Sequence, residues 1–236
     1  MREDSGWFPL SWPAYSLPSA EAPSALLSLA ALGDMRLKPW PAECVFAETA
    51  RIFPGRRFVW LSQEHTRIVH RADGGREIAG SAGDGLVSGD PQTLIGVSVA
   101  DCMPIFLWDT ASGARAVLHS GWKGTGIVRE ALRLMREGFA AQAANVRAIL
   151  GPGIRACCYA VPRERACAFA AEFGEDAGFS RSGAWYIDLA AANRNILAAE
   201  GVTHVYTHPE CTRCDTRFSS FRRQGSGNFT RMLAVI

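Results

Sequence analysis

From residue 93 to residue 100 the chain reads T-L-I-G-V-S-V-A, a near-continuous apolar run with several β-branched residues. Such a run predicts a strand buried on both faces. Two more strands are expected at residues 104–109 and 114–120, and the Ser-Gly pair between them suits a hairpin turn. Beyond Gly121, Gly124 and Gly126, a helix is predicted: Ile127, Ala131, Leu134, Met135 and Phe139 recur at helical spacing, with Arg129, Glu130, Arg133 and Arg136 around them. Residues 146–150 form a strand ending in Gly-Pro-Gly. Residues 163–173 and 188–200 read as helices, the second stopped by Gly201. Residues 202–207 and 232–236 read as strands, and residues 58–61 and 67–70 as short strands around a turn. Gly83, Gly85 and Gly89 punctuate the stretch that follows. Residues 1–45 are rich in Pro, Ser and Ala, with one apolar patch at residues 25–32 that reads as a short helix. There is no fixed-period repeat and no regular β-α-β rhythm, so the expected class is α+β. The expected organisation is an N-terminal segment, 1–56, of short helices and loops packed on a catalytic domain, 57–236, the two making a single structural domain.

Composition narrows the classes. The chain has 236 residues, 48% of them hydrophobic and 20% charged, enough for a full core and an ordinary surface. A formal net charge of +2, with no basic stripe interleaved with aromatics, argues against nucleic acid as a partner. The most apolar stretch, residues 94–108, is broken by Asp101 and Pro104 and is shorter than the ~18–20 residues a bilayer span requires. The first ten residues carry no apolar run of signal-peptide length, so a cytoplasmic protein with no membrane partner is expected. Seven cysteines, an odd number, then read as thiols and possible metal ligands rather than a disulfide framework.

Candidate chemistry centres on one hairpin end. If residues 104–109 and 114–120 pair antiparallel, Cys102 falls near His119, because facing residues in such a pair lie roughly 4.5–5.5 Å apart. Thiolate and imidazole together suit zinc. A third ligand such as His65 would make a His2Cys set with one coordination position open, the pattern of catalytic zinc. The same residues also fit a plainer reading, a cysteine acting as a small core hydrophobe beside a structural histidine. The turn Gly121-Trp122-Lys123-Gly124 opens a helix, where free N–H groups and Lys123 suit an anion, or merely meet a turn's need for glycine. His208-Pro209-Glu210-Cys211-Thr212-Arg213-Cys214 fuses H-x-E to C-x-x-C. That spacing does not fit a deaminase site, and it leaves open a structural zinc, a thiol pair or an incidental loop. Arg222, Arg223 and Arg231 lie near glycines and suit an anionic group or surface ion pairs.

Taken in order, Gln63-x-His65, Ala100-Asp101-Cys102-Met103-Pro104 and His119-Ser120-Gly121-Trp122-Lys123-Gly124-Thr125 resemble the signature of one family. That family has been called multicopper polyphenol oxidase (laccase-like), peptidoglycan editing factor and zinc-dependent purine nucleoside phosphorylase. Gly151-Pro152-Gly153-Ile154, Cys158-Tyr159-x-Val161, Asp188-Leu189, Ala192-Asn193-Arg194, Cys211-Thr212, Ser220-Phe221-Arg222-Arg223 and Arg231-Met232 extend the match over residues 57 to 236. The resemblance implies a layered sandwich of mixed β-sheets flanked by helices, with zinc on His65, Cys102 and His119. It further implies phosphorolysis of adenosine, inosine, guanosine and methylthioadenosine, together with adenosine deamination. The catalytic set expected is Cys102, His119, His65 and Asp101. Lys123, Gln63, Asp84 and Arg222 are expected to bind nucleoside or phosphate, with Asp84 or Asp101 alternatively orienting a ligand histidine.

The chain departs from the family pattern in three places. Lys123 stands where an arginine is usual, keeping the charge but losing the bidentate fork. Thr66 replaces a glycine, and the asparagine-rich signals usual before residue 57 are missing. Three rivals stand beside the phosphorylase: a hydrolase editing peptidoglycan precursors, copper-dependent phenol oxidation, and a non-catalytic regulatory or scaffold protein with a structural metal. Five histidines are too few for the usual multicopper arrangement. A monomer or homodimer acting on small molecules is expected.

Overall fold

A computed structural model describes residues 6–10, 23–73 and 78–236. Among these, chain order runs β1 (Trp7–Pro9), β2 (Leu26–Ser28), α1 (Glu43–Ile52), β3 (Arg57–Val59), β4 (Val69–Arg71), β5 (Gly85–Ser88) and β6 (Thr93–Val99). It continues through β7 (Met103–Asp109), β8 (Arg115–Ser120), α2 (Ile127–Phe139), β9 (Val146–Leu150), α3 (Arg163–Phe173), β10 (Gly178–Arg181) and β11 (Ala184–Ile187). The last elements are α4 (Leu189–Ala199), β12 (His204–Thr207), α5 (Phe221–Gln224) and β13 (Met232–Val235).

Two mixed sheets form the body, a five-stranded one in the order β1-β2-β13-β6-β3 and a six-stranded one in the order β12-β9-β7-β8-β5-β4. Their facing sides share one apolar layer, in which Ile95, Val97 and Val99 of β6 pack with Phe106 of β7, Val117 of β8, Ile149 of β9 and Met232 of β13. Alternation along each strand sends the intervening side chains to the opposite face. Ile105, Leu107, Ala116, Leu118, Ala148 and Leu150 therefore form a second core beneath α2, α3 and α4. Leu26, Leu94, Leu233 and Val235 form a third, covered by Val45 of α1. The result is the α+β layered sandwich, helix–sheet–sheet–helix. No helix among the described residues is long and apolar enough to cross a membrane.

Local chemistry accounts for several elements. β6 is buried at every position, as its β-branched composition predicts. In the β7–β8 turn, the Asp109 carboxylate accepts hydrogen bonds from the Ser112 amide and hydroxyl at 2.9 and 2.6 Å. Helix α4 is capped by Asp188, whose carboxylate accepts from the Ala190 and Ala191 amides.

Three local expectations change. Residues 25–32 hold not a short helix but strand β2 and a 3-10 turn at Ala30–Leu32. The hydrophobic side chains of Leu26 and Leu27 face opposite cores, as period-2 burial requires. Strands β3 and β4 do not pair: β3 joins β6 in one sheet and β4 joins β5 in the other, so residues 60–68 cross between sheets. Gly85 is not a turn residue but opens β5, where a Cβ would meet Leu118 Cδ2 at 2.7 Å. The segment before residue 57 supplies β1, β2 and α1, with both of its strands hydrogen-bonded into the sheet that holds β13.

Phe106 is fully buried between the sheets. Phe106→Ala is expected to destabilise the protein by about 3–5 kcal/mol, read as a lower urea midpoint with an unchanged slope.

Candidate metal centre and cavity

The site forms at the end of the sandwich where β6 and β8 finish and β5 and β7 begin. Antiparallel pairing sets Met103 opposite Ser120 and Pro104 opposite His119. Cys102, just before β7, thereby comes beside His119 near the end of β8. The crossover between β3 and β4 carries His65 to the same place, and the His65 and His119 rings lie 4.8 Å apart, nearly edge-on.

Asp84 ties these pieces together. It is fully buried, and its Oδ1 accepts from the His65 amide at 3.0 Å and pairs with His119 Nδ1 at 2.8 Å. Its Oδ2 accepts from the Glu64 and Thr66 amides at 3.2 and 2.6 Å and from the Thr66 hydroxyl at 2.8 Å. Burial alone would raise the Asp84 pKa, but His119 and the Thr66 donors outweigh it and hold it at about 2. The Nδ1 contact with Asp84 orients the ring so that Nε2 faces Cys102, the orientation a carboxylate–histidine–metal chain requires once the Nε2 proton is displaced. Thr66, which replaces a family glycine, gives this carboxylate its extra hydroxyl donor.

The electrostatics of Cys102 and His119 are complementary. Burial pushes the Cys102 thiol up, yet the imidazoles of His119 and His65 bring it down to about 6. Burial pushes His119 down, while Cys102 and Asp84 carry it up to about 10. Near neutral pH the metal-free pair is therefore thiolate and imidazolium. Metal entering the group displaces the His119 proton, so its affinity rises with pH.

The donor atoms of His65, Cys102 and His119 all lie within 4.8 Å of one another. A tetrahedral metal with one sulfur and two nitrogen ligands has ligand–ligand edges of about 3.3–3.6 Å, so a modest contraction suffices. The group can hold a metal ion, with Asp84 as its outer partner. Glycine is required alongside, because a Cβ on Gly121 would lie 2.6 Å from Cys102 Sγ, and one on Gly124 would lie 2.9 Å from the Thr66 carbonyl oxygen. His65 and Asp101 both adopt left-handed backbone, with φ of 59° and 74°. That conformation costs a non-glycine residue about 1 kcal/mol or more. At His65 it is held by the Asp84 hydrogen bond to its amide.

The group opens into a cavity of about 460 Å³ lined by Gln63, His65, Asp101, Cys102 and His119. Trp122, Tyr159, Phe221 and Phe229 supply aromatic wall, and Lys38, Arg165, Arg222 and Arg231 supply positive charge. Asp101 is the only carboxylate among the lining residues. Its Oδ1 accepts from the Thr212 hydroxyl at 2.6 Å and its Oδ2 from the Arg222 amide at 2.7 Å. Gln63 is committed to Ser98, donating to its carbonyl at 2.8 Å and accepting from its amide at 2.7 Å.

The remaining residues singled out by the sequence fall elsewhere. Lys123 is exposed, with Nζ 5.6 Å from the Trp122 ring centroid, and is not part of the lining. Asp84 lies behind the histidines rather than in the cavity. Arg223 donates to the carbonyls of Thr212 and Arg213 at 2.6 and 2.9 Å, bracing a loop. His208 is buried edge-on against Phe8 and Tyr206, with Nδ1 3.4 Å from Glu210, and does not join Cys211 or Cys214 in a metal-competent group.

Lys38 and Arg165 were not found from sequence. Lys38 lies in the N-terminal segment, which carries no motif. Arg165 sits in the first turn of α3, and its guanidinium reaches the cavity by stacking 4.1 Å over Trp122.

A sandwich of this kind, with a cavity at one end, defines a fold class already represented among solved structures. YlmD from Geobacillus stearothermophilus matches with a TM-score of 0.83 at 26% identity, covering 100% of this chain and 97% of that one. A hypothetical protein YfiH from Bacillus licheniformis shares the fold, with a TM-score of 0.80 at 23% identity over 90% of this chain and 91% of its own. The family model described as multi-copper polyphenol oxidoreductase laccase matches residues 43–236, and the chain belongs to that family. Its relatives include a purine nucleoside phosphorylase of Clostridium acetobutylicum, 32% identical over 181 residues, which are 70% of this chain and 71% of that one. Another is a purine nucleoside phosphorylase of Deinococcus radiodurans, 35% identical over 78% of this chain and 71% of its own. An adenosine deaminase from an unknown prokaryotic organism is 39% identical over 60% of this chain and 57% of its own.

Three expectations follow. Asp84→Asn places amide hydrogens against donors and should weaken metal binding about 10–100-fold, measured by competition with a chromogenic chelator. A carboxylate whose folded pKa is depressed to about 2 stabilises the fold above its ordinary value of 3.8 and loses that contribution as pH falls toward 2. Acid unfolding curves of wild type and variant should therefore converge at the acid end of that window. Gly121→Ala, pressing on Cys102 Sγ, should lower metal content while leaving the far-ultraviolet dichroism unchanged.

Proposed function

We propose that this chain is a zinc-dependent purine nucleoside phosphorylase that also deaminates adenosine. The observation that carries this reading is the His65–Cys102–His119 group opening into a cation-rimmed, aromatic-walled cavity. A volume of about 460 Å³ suits a small-molecule site, and the names of the relatives point to nucleosides. Two imidazoles and one thiolate fit the open catalytic zinc pattern, whereas a multicopper centre needs more imidazoles than this group offers.

Zinc on His65, Cys102 and His119 would supply a Lewis acid at the cavity floor. The chain's own residues do the rest. A purine is flat and apolar on its faces and packs against Tyr159, Phe221 and Phe229. Because Lys123 lies outside the lining, phosphate is assigned to Arg165, Arg222 and Arg231, with Lys38 at the rim in an ion pair with Glu64. In phosphorolysis a phosphate oxygen attacks the anomeric carbon as the bond to the purine nitrogen breaks, and the electron pair leaves with the base. Asp101 is assigned to carry a proton at its carboxylate to or from the base. Asp84 keeps His119 in the tautomer that presents Nε2, and Gln63 fixes the cavity wall through Ser98.

Zinc-loaded protein incubated with adenosine is expected to release adenine only when phosphate is present, and inosine whether or not phosphate is added. Product separation by chromatography reads both. Cys102→Ala should lose the metal of this group and both products. Arg222→Gln should raise the KM for phosphate about tenfold, the scale of one lost charge-assisted hydrogen bond. Full activity in a Cys102→Ala protein lacking metal at this group would overturn the proposal.

A further inference from the structure

A second set of metal-competent side chains lies outside the His65–Cys102–His119 group. Cys157 and Cys158 sit in the turn after β9, and Cys211 and Cys214 form a C-x-x-C after β12. The two segments meet through a parallel bridge between Gly153 and Cys211. Arg155 braces them from below, its guanidinium donating to the carbonyls of Gly151 at 3.1 Å, Glu210 at 3.2 Å and His208. All four sulfurs lie within 4.8 Å of one another. Cys158 and Cys214 are 3.3 Å apart, Cys157 and Cys158 3.7 Å, and Cys157 and Cys214 3.9 Å.

Those spacings decide between two chemistries. A disulfide brings two sulfurs to about 2.05 Å, closer than any of these pairs. A tetrahedral tetrathiolate zinc, with Zn–S bonds of about 2.3 Å, has sulfur–sulfur edges of about 3.8 Å, which is what three of the measured separations straddle. At Cys211 the surrounding donors favour anionic sulfur. Cys211 Sγ accepts from the Arg155 amide at 3.4 Å and also from the amides of Arg213 and Cys214. The Arg213 guanidinium reaches Cys158, countering part of the net charge of −2 that four thiolates and one Zn²⁺ carry.

We propose that Cys157, Cys158, Cys211 and Cys214 form a structural zinc site, separate from the His65–Cys102–His119 group. Four protein ligands close the coordination sphere, so the ion serves packing rather than chemistry. Its binding releases thiol protons and locks the post-β9 turn to the post-β12 loop. Both segments border the cavity, since Ile154 and Tyr159 line it and Thr212, inside the C-x-x-C, donates to Asp101. The ion thus fixes the wall that positions Asp101.

Metal analysis of the full-length protein, purified without chelator, tests this independently of any catalytic activity. Two zinc equivalents per chain are expected in wild type, one in Cys102→Ala, and one in Cys157→Ser/Cys214→Ser. Cobalt loaded into Cys102→Ala should show the intense thiolate-to-metal absorption of a tetrahedral tetrathiolate. Cys102→Ala devoid of bound metal would overturn the proposal, and that outcome remains readable even if the double variant fails to fold. Unchanged zinc in a folded Cys157→Ser/Cys214→Ser protein, or a disulfide among the four cysteines in the unreduced protein, would overturn it as well.

Discussion

The whole site hangs on one buried carboxylate. Removing a charged Asp from water costs several kcal/mol unless its lone pairs are filled. Asp84 is tolerated because five donors from two separate segments converge on it. Four of those donors come from residues 64–66 and the fifth is His119. One charge therefore folds the crossover between sheets, holds His65 in a left-handed backbone and selects the His119 tautomer. A neutral side chain of the same size satisfies at most part of this set.

Around that carboxylate, sheet register does the positioning. The pairing of Pro104 with His119 brings Cys102 alongside the imidazole without any dedicated loop. Slipping the β7–β8 register by one residue would turn Ile105 and Leu107 out of their helix-facing core and Phe106 out of the inter-sheet layer. Core burial and site geometry are thus enforced by the same alternation. A site built on strand ends between two packed sheets inherits their rigidity.

How much was legible from sequence follows the range of the interactions. The β6 run, the β7–β8 hairpin and helices α2, α3 and α4 carry their signals within a dozen residues, and they appear where the pattern puts them. The Cys102–His119 proximity was legible because a hairpin is a local object. Residues 25–32 were misread because a strand between two cores is apolar on both faces, a pattern periodicity cannot separate from a buried helix turn. Gly85 was misread because its reason, the approach of Leu118 and Val69, belongs to other strands. The cavity rim drew Lys38 and Arg165 from two distant segments to join Arg222 and Arg231, and no local rule links them. In the same way Cys211 and Cys214 announced a pair, but the arrival of Cys157 and Cys158 depends on the parallel pairing of β9 with β12.

The cavity's composite origin also constrains how the molecule comes to exist. Its floor and walls are contributed by residues near 38, 63–65, 98–102, 119–122, 154–165 and 221–231, joined through parallel pairings such as β3 with β6 and β9 with β12. Parallel and other non-local pairings form late, because loop closure is costly before contacts reward it. The β7–β8 hairpin gathers only Cys102 and His119, and His65 arrives with the crossover between β3 and β4, so a half-folded chain offers an incomplete ligand set. Full coordination at the centre is consequently a report on completed folding, because its third ligand is set only when the two sheets are joined.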